Sequence, residues 1–388
     1  MKPISADSHV VEGRDVFAGL AERFGDQAPR VMAIGGEADC IVVPERGMQG
    51  VNVARMGMAA TRLNRNEPLG RKPGHKPNVA NMADPELVAL FEQGYAGMRP
   101  GLVDGSRRFE DQDADGLAAE FLYPGYFAMF NFPNIELLVA LQKNYNDWLH
   151  NYCSVSNKRL FGLAAIPVQD PVAAVSELER VIKLGFRGGC IPCTSPAEHP
   201  YFEDVYGPIW ALAEEAKFPL SMHVGCNAYV PKALRGPRVR RDPIAGYAAS
   251  ASTIQATIVE FMCRGVCARH PGLKLVVAEF NAGWIAHWLD RVDQGLQREI
   301  RETTEPYQGE DPRDIWHRQF YATIEDDQPA LLTRSLIGED NLMWGSDYPH
   351  TDSTWPCSND VLDELFAEFT PELKHKVTRA NVENLYAI

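Results

Sequence analysis

Eight short apolar runs, each followed by a helix-like segment, with polar side chains gathered where the runs stop, predict a (β/α)8 barrel. The chain has 388 residues and is 45% hydrophobic, which suits one barrel with large insertions and a sizeable core. A doubly wound sheet accounts for the alternation less well, because its strand ends lie on opposite sides of a switch point. No repeat of fixed short period occurs, which excludes a solenoid.

The elements follow in order. Ile4 to Ala6 is the first strand. Leu117 to Tyr123 reads as the second, closed by Pro124-Gly125. Glu136 to Tyr152 places Leu137, Leu138, Leu141, Tyr145, Trp148 and Leu149 at helical spacing. Phe161 to Val168 is the third strand, and Pro171 opens a helix that runs to Leu184. Gly188–Pro192, Leu220–Val224, Leu273–Phe280, Phe320–Ile324 and Leu342–Ser346 complete the strands. The helices between and after them are predicted over Val205–Lys217, Ser252–Ala268, Trp284–Leu296, Pro329–Ile337 and Asp360–Phe369.

Three stretches fall outside this alternation. Glu12 to Asp115 reads as long and irregular, rich in Gly, Pro, Met, Arg and Asn, as in Arg62-Leu63-Asn64-Arg65-Asn66 and Gly74-His75-Lys76-Pro77. A stretch of that length inside a compact domain needs a purpose. Residues 13–115 are therefore expected to be an insertion that caps the active-site mouth or forms a subunit contact, within one barrel domain spanning 1–388. Smaller insertions are expected after the fifth strand (Cys226 to Tyr247) and after the sixth helix (Arg298 to His317).

The formal net charge is −14 and the Lys and Arg residues are scattered, so no basic stripe invites nucleic acid or an anionic membrane. No apolar run is long enough to span a bilayer, and Met1 to Ala6 reaches a polar triad too early for a signal peptide. Eight Cys are too sparse for a disulfide scaffold and are expected to be thiols in the cytoplasm. Cys190-Ile191-Pro192-Cys193 has redox spacing but follows a strand late in the βα series, where packing or pocket lining is the better reading. Cys263 and Cys267 lie a helical turn apart beside Phe261 and Met262 and read as core.

Chemistry is expected at the strand ends. Asp7 and His9 sit two apart on the first strand, so their side chains share one face. His223 closes the apolar run Pro219-Leu220-Ser221-Met222. Asp347 follows the last strand in Trp344-Gly345-Ser346-Asp347-Tyr348-Pro349-His350-Thr351. Carboxylate oxygen and imidazole nitrogen are what a hard or borderline divalent metal takes. Singly, a strand-end His is usually a hydrogen-bonded structural residue and Asp347 could be a helix N-cap; together they point to metal binding. Glu279 ends the sixth strand, where a salt bridge and direct catalysis are equal readings. His350 would orient Asp347 or meet substrate. Arg187 reads as structural, and Trp355, His75 and Tyr201 are weaker candidates for lining the pocket.

The order Asp7-x-His9, Gly185-Phe186-Arg187-Gly188, Met222-His223-Val224-Gly225 and Trp344-Gly345-Ser346-Asp347-Tyr348-Pro349 resembles the amidohydrolase superfamily. Asn146-Asp147-Trp148, Lys158-Arg159-Leu160-Phe161-Gly162-Leu163 and the tail Asn381-Val382-Glu383-Asn384-Leu385-Tyr386 resemble its family 2 branch. That branch is typified by aminocarboxymuconate semialdehyde decarboxylase and the hydroxybenzoate decarboxylases. The resemblance implies a barrel, one divalent metal, and hydrolysis or decarboxylation of small, often aromatic, carboxylates. It implies Asp7, His9, His223 and Asp347 as metal ligands; Asp347, Glu279 and His350 are the candidate catalytic residues by their places at the strand ends.

Two departures stand out. Val11 occupies the place of a second first-strand His, which the hydroxybenzoate decarboxylases also lack. Glu279 occupies the place of a sixth-strand His used in acid/base work. The first expectation is a metal-dependent hydrolase using metal-activated water on a small aromatic or unsaturated carboxylate. The alternative is a non-oxidative decarboxylase of a hydroxylated aromatic acid, and a third reading is a binding protein that has lost catalysis. Zinc and manganese both suit the ligand types, with the acidic set shading towards manganese. The resemblance also implies a homodimer.

Overall fold

In the computed structural model, which describes residues 1–57, 85–231, 233, 242–298 and 310–388, the chain forms two compact units. The first comprises Met1–Tyr126, Glu136–Ala164 and Trp344–Arg379; the second comprises Phe127–Ile135, Ala165–Met343 and Ala380–Ile388.

The first unit is built on three parallel strands, β1 (Ile4–His9), β5 (Ala119–Tyr123) and β6 (Leu160–Gly162), in the order β1-β5-β6. All three are buried along their length. The ladder between β1 and β5 slips between Ser5 and Ser8, so three steps along β1 match two along β5. The helix Ile135–Cys153 buries Leu137, Leu138, Leu141, Tyr145 and Leu149. Gly162 lets it approach closely: a Cβ there would lie 2.7 Å from the Leu149 side chain.

The expectation of an irregular stretch from Glu12 to Asp115 needs correction. It contains an antiparallel sheet, β2 (Arg30–Ile34), β3 (Glu37–Val42) and β4 (Gly50–Asn52), in that order. Gly35 and Gly36, both with positive φ, make the two-residue turn between β2 and β3. The insertion ends in the helix Gly105–Asp115, started by the Asp104 side chain on the Ser106 N–H and stopped by left-handed Gly116. Its buried residues are Gly105, Arg108, Asp111, Gln112 and Asp115, a polar face where an apolar stripe would be usual.

A six-stranded sheet, all but Ala164 and Trp344 in the second unit, consists of β7 (Ala164–Ala165), β8 (Gly189–Pro192), β9 (Leu220–His223), β10 (Leu275–Ala278), β11 (Phe320–Ile324) and β12 (Leu342–Trp344), ordered β12-β11-β10-β9-β8-β7. The pairings β8–β9, β9–β10 and β10–β11 are parallel. The apolar runs are buried on both faces, which is why they read as unbroken hydrophobic segments. With β6 and β7 as two halves of one strand around Leu163, the expected eight strands are present among the described residues.

Pro171–Leu184 is a helix as expected, with Asp170 capping its first amides, Pro171 in the first turn and left-handed Gly185 at its end. The helix expected over Ser252–Ala268 is two pieces, Ala251–Cys263 and Val266–Arg269, because Gly265 adopts φ +84° between them. Cys263 and Cys267 therefore lie on different helices, though both are buried as expected.

Candidate functional site

In the first unit, β12 delivers Trp344 and the chain then turns at Gly345, which lies directly against β1. A Cβ on Gly345 would be 2.4 Å from that of Asp7. Ser5, Ser8 and Ser346 bond one another across this contact, and Ser346 N–H donates to Ser5 Oγ at 2.9 Å. Asp347 N–H donates to the Asp7 carbonyl at 2.9 Å, and His9 N–H to the Tyr348 carbonyl at 2.6 Å.

These backbone ties bring the expected side chains together. His9 Nε2 stands 3.6 Å from Asp7 Oδ1 and 3.2 Å from Asp347 Oδ1, with all three side chains almost fully buried. His9 Nδ1 faces the Pro124 carbonyl at 3.0 Å. A carbonyl only accepts, so Nδ1 carries the proton and Nε2 keeps its lone pair for a ligand. His350 stacks on His9 with ring centres 4.0 Å apart, and its Nδ1 lies 2.8 Å from Asp347 Oδ1.

Asp347 is not a helix N-cap: the helix that follows, Ser358–Leu365, starts well beyond it. It sits in the left-handed region with φ +55°. Burial pushes its carboxyl up to about 7, the charges of Asp352 and Asp7 add to that, and His350 pulls it down. A buried set of two carboxylates and an imidazole is the donor chemistry a divalent cation takes, and positive charge there relieves their repulsion.

Side chains beyond the expected set brace this arrangement. Arg108, fully buried, gives two hydrogen bonds to Glu120 (2.8 and 2.9 Å) and one to the His9 carbonyl (3.0 Å). Its guanidinium lies 4.4 Å from the centre of the Tyr348 ring. Tyr348 donates its hydroxyl to Asp111 at 2.7 Å, and Arg99 Nε reaches the same carboxylate at 2.5 Å. Trp355, a candidate for pocket lining, is buried and donates its indole N–H to the Asp111 carbonyl. Sequence reasoning missed Arg108, Asp111 and Glu120; for Arg108 and Asp111 the signal was a helix-length run whose periodic positions are charged rather than apolar, and for Glu120 a lone charge inside an apolar strand.

In the second unit, the β9–β10 register sets His223 opposite Ala278, so Glu279 comes next to it. His223 Nε2 and Glu279 Oε2 are 3.1 Å apart. His223 Nδ1 faces the Val224 carbonyl at 2.8 Å, which fixes the proton on Nδ1 as at His9. Glu279 is left-handed at φ +60°, as is Asn281 at +53°, and Thr323 Oγ accepts the Glu279 N–H at 2.8 Å. A glutamate held in this region stores strain, a pattern that clusters at functional sites. The Phe127 ring lies 5.0 Å from that of His223, and left-handed Gly225 makes room for it. Sequence reasoning did not single out Phe127.

The weaker candidates divide. Tyr201 is core, not pocket lining: it is fully buried among Tyr206, Trp210 and Phe261, with its hydroxyl on the Pro192 carbonyl. Arg187 is exposed. Cys190 and Cys193 are buried thiols, and burial pushes Cys193 up to about 12, away from redox reactivity. His75 lies outside the described residues, as do parts of all three insertions.

A family model described as amidohydrolase matches residues 53–388. The chain belongs to the amidohydrolase family. The match begins after Asp7 and His9, so those two rest on the geometry above. Among similar proteins, a gamma-resorcylate decarboxylase from Rhodococcus jostii is 27% identical over 241 residues, covering 56% of this chain and 68% of that protein. An amidohydrolase structure from Mycobacterium avium subsp. paratuberculosis is 19% identical, covers 99% of both chains and superposes with a TM-score of 0.75. A 5-carboxyvanillate decarboxylase from Novosphingobium aromaticivorans, solved with manganese and 4-hydroxy-3-methoxy-5-nitrobenzoic acid, is 19% identical. It covers 86% of this chain and 92% of that one, at a TM-score of 0.63. This amidohydrolase is therefore a (β/α)8-barrel enzyme, as its strand–helix alternation predicted. No described helix is long and apolar enough to cross a membrane.

Proposed function

We propose that this amidohydrolase is a metal-dependent, non-oxidative decarboxylase of a hydroxylated aromatic acid. The relatives move the reading from hydrolysis, the first expectation from the sequence, to its alternative. The observation that carries it is Glu279, held in strained backbone 3.1 Å from His223. Decarboxylation of an aromatic acid needs a proton donor at the ring carbon, and a carboxylic acid is suited to that transfer.

The proposed ligands are Asp7, His9, His223 and Asp347, whose oxygen and nitrogen donors suit manganese, with zinc second. A divalent ion held by these residues would supply positive charge that stabilises the negative charge of a bound carboxylate. Glu279 gives its proton to the ring carbon that bears the carboxylate. The new C–H bond forms, the C–C bond breaks, and its electrons return to the ring as carbon dioxide leaves. The Asp347–His350 pair holds a proton beside the site and orients His9 by stacking. The insertion 13–115 is proposed to cap the mouth or to make the contact of a homodimer.

The test is mass spectrometry of hydroxylated benzoates and unsaturated dicarboxylates incubated with the manganese-loaded enzyme. Products lighter by carbon dioxide support the proposal. Products heavier by the elements of water overturn it in favour of hydrolysis, and an intact panel with a metal-free protein favours a binding protein.

A further inference from the structure

Glu12 has no place in the proposed ligand set, yet its side chain is fully buried three residues beyond His9. Burying a carboxylate is costly, and an apolar residue of similar volume fills such a space with less penalty. Its Oε1 accepts the Gly125 N–H at 3.0 Å, and the Tyr126 N–H donates to both oxygens at 3.1 and 3.0 Å. The Gly125 N–H belongs to the same peptide group as the Pro124 carbonyl, the partner of His9 Nδ1 at 3.0 Å. In a planar trans peptide, N–H and C=O point to opposite sides. One peptide group thus joins the Glu12 carboxylate to the His9 imidazole. Gly125 permits it, since a Cβ there would stand 2.4 Å from the Val10 carbonyl oxygen.

We infer that Glu12 is a positioning residue that acts on His9 through the Pro124–Gly125 peptide, holding the His9 proton on Nδ1 and Nε2 as the electron-pair donor. The carboxylate anchors the N–H end of the peptide, which aims its carbonyl end at the ring. Hydrogen-bond chains of this kind polarise one another, so Nε2 also becomes the better donor. Metal-binding histidines commonly use their second nitrogen in this way, with a carboxylate or carbonyl as direct partner; here the carboxylate works one peptide removed.

The affinity arm of the test rests on the metal reading above; the spectroscopic arm does not. Long-range proton–nitrogen correlation spectra of histidine-labelled full-length protein, recorded above the Glu12 carboxyl's elevated value of about 7, report the His9 tautomer. Wild type should show His9 protonated on Nδ1 alone, and Glu12→Gln a mixture of tautomers. Manganese should bind Glu12→Gln about ten- to a hundred-fold more weakly, and the change should vanish in a His9→Gln background. An unchanged His9 tautomer, or equal weakening with and without His9, overturns the inference. A wild type that binds no metal yet shows the tautomer shift refutes the metal reading and leaves this one standing. If Glu12→Gln fails to fold, Glu12→Asp, too short to reach both amides, is read the same way.

Discussion

The first unit assembles its polar site from the two ends of the chain, whereas the second assembles its pair from neighbours in a sheet. Asp7 and His9 meet Asp347 and His350 through a shell of serines, a buried Arg108–Glu120 pair and Tyr348 on Asp111. His223 and Glu279 are set side by side by the β9–β10 ladder itself, with Thr323 on the Glu279 amide and Phe127 beside the His223 ring. Backbone register is placement that every residue of a sheet shares. Placement across distant segments depends on particular side chains, and it is lost when one of them is removed. The first unit should therefore answer to substitutions of buried polar residues, and the second to losses of apolar packing.

The largest effect is expected at Asp347. Asp347→Asn should lower turnover by about a thousand-fold or more while the thermal midpoint stays near that of wild type, read by steady-state kinetics and calorimetry. Full activity would refute the site. Glu279→Gln should reduce kcat by about a hundred-fold or more with manganese content unchanged, which would separate the proposed proton donor from the proposed ligands.

The comparison itself is sharpened by a matched pair. Arg108→Met leaves Glu120 buried without its cation and should cost about 3–5 kcal/mol in urea unfolding. Ile258→Ala, on the buried face of the helix Ala251–Cys263 in the second unit, should cost about 2–5 kcal/mol. Only the first should also weaken manganese binding, because Arg108 holds the His9 carbonyl. Equal metal affinity in the two variants would break the distinction.

The smallest effect concerns pH. Asp115 is buried, accepts the Ser358 N–H and hydroxyl, and is pushed up to about 7 by burial. Its folded value exceeds its unfolded one, so its stabilising contribution is complete at low pH. That contribution is lost as pH rises from the ordinary carboxylate range through about 7. Asp115→Asn should therefore gain stability relative to wild type across that window, followed by urea midpoints; a constant difference would place the carboxyl at its ordinary value.

Much of this was legible in the sequence. Apolar runs such as Leu275-Val276-Val277-Ala278 announce strands buried on both faces, and polar residues where several of them stop mark the candidate site. Pro171 and Gly185 bracket a helix by backbone preference alone. The helix Gly105–Asp115 was hidden because its inward face carries Arg108, Asp111, Gln112 and Asp115, whose spacing is helical but whose hydropathy is that of a loop. The hairpin at Gly35-Gly36 has its signal in the paired glycines, but the flanking segments carry only Val31, Ile34, Ile41 and Val42 as β-branched residues, too few to stand out from a long polar stretch. Glu12 carried none: its role comes from which peptide its carboxylate meets, and that is set only when β1 and β5 lie side by side.

The left-handed backbone at Glu279 sets two selective pressures against each other. A glycine adopts φ +60° without the strain a glutamate bears, so Glu279→Gly would give a tougher fold with no acid at the end of β10. Screening variants of this protein for heat resistance alone would reward that substitution, and with it the loss of the proposed proton donor, by a single codon.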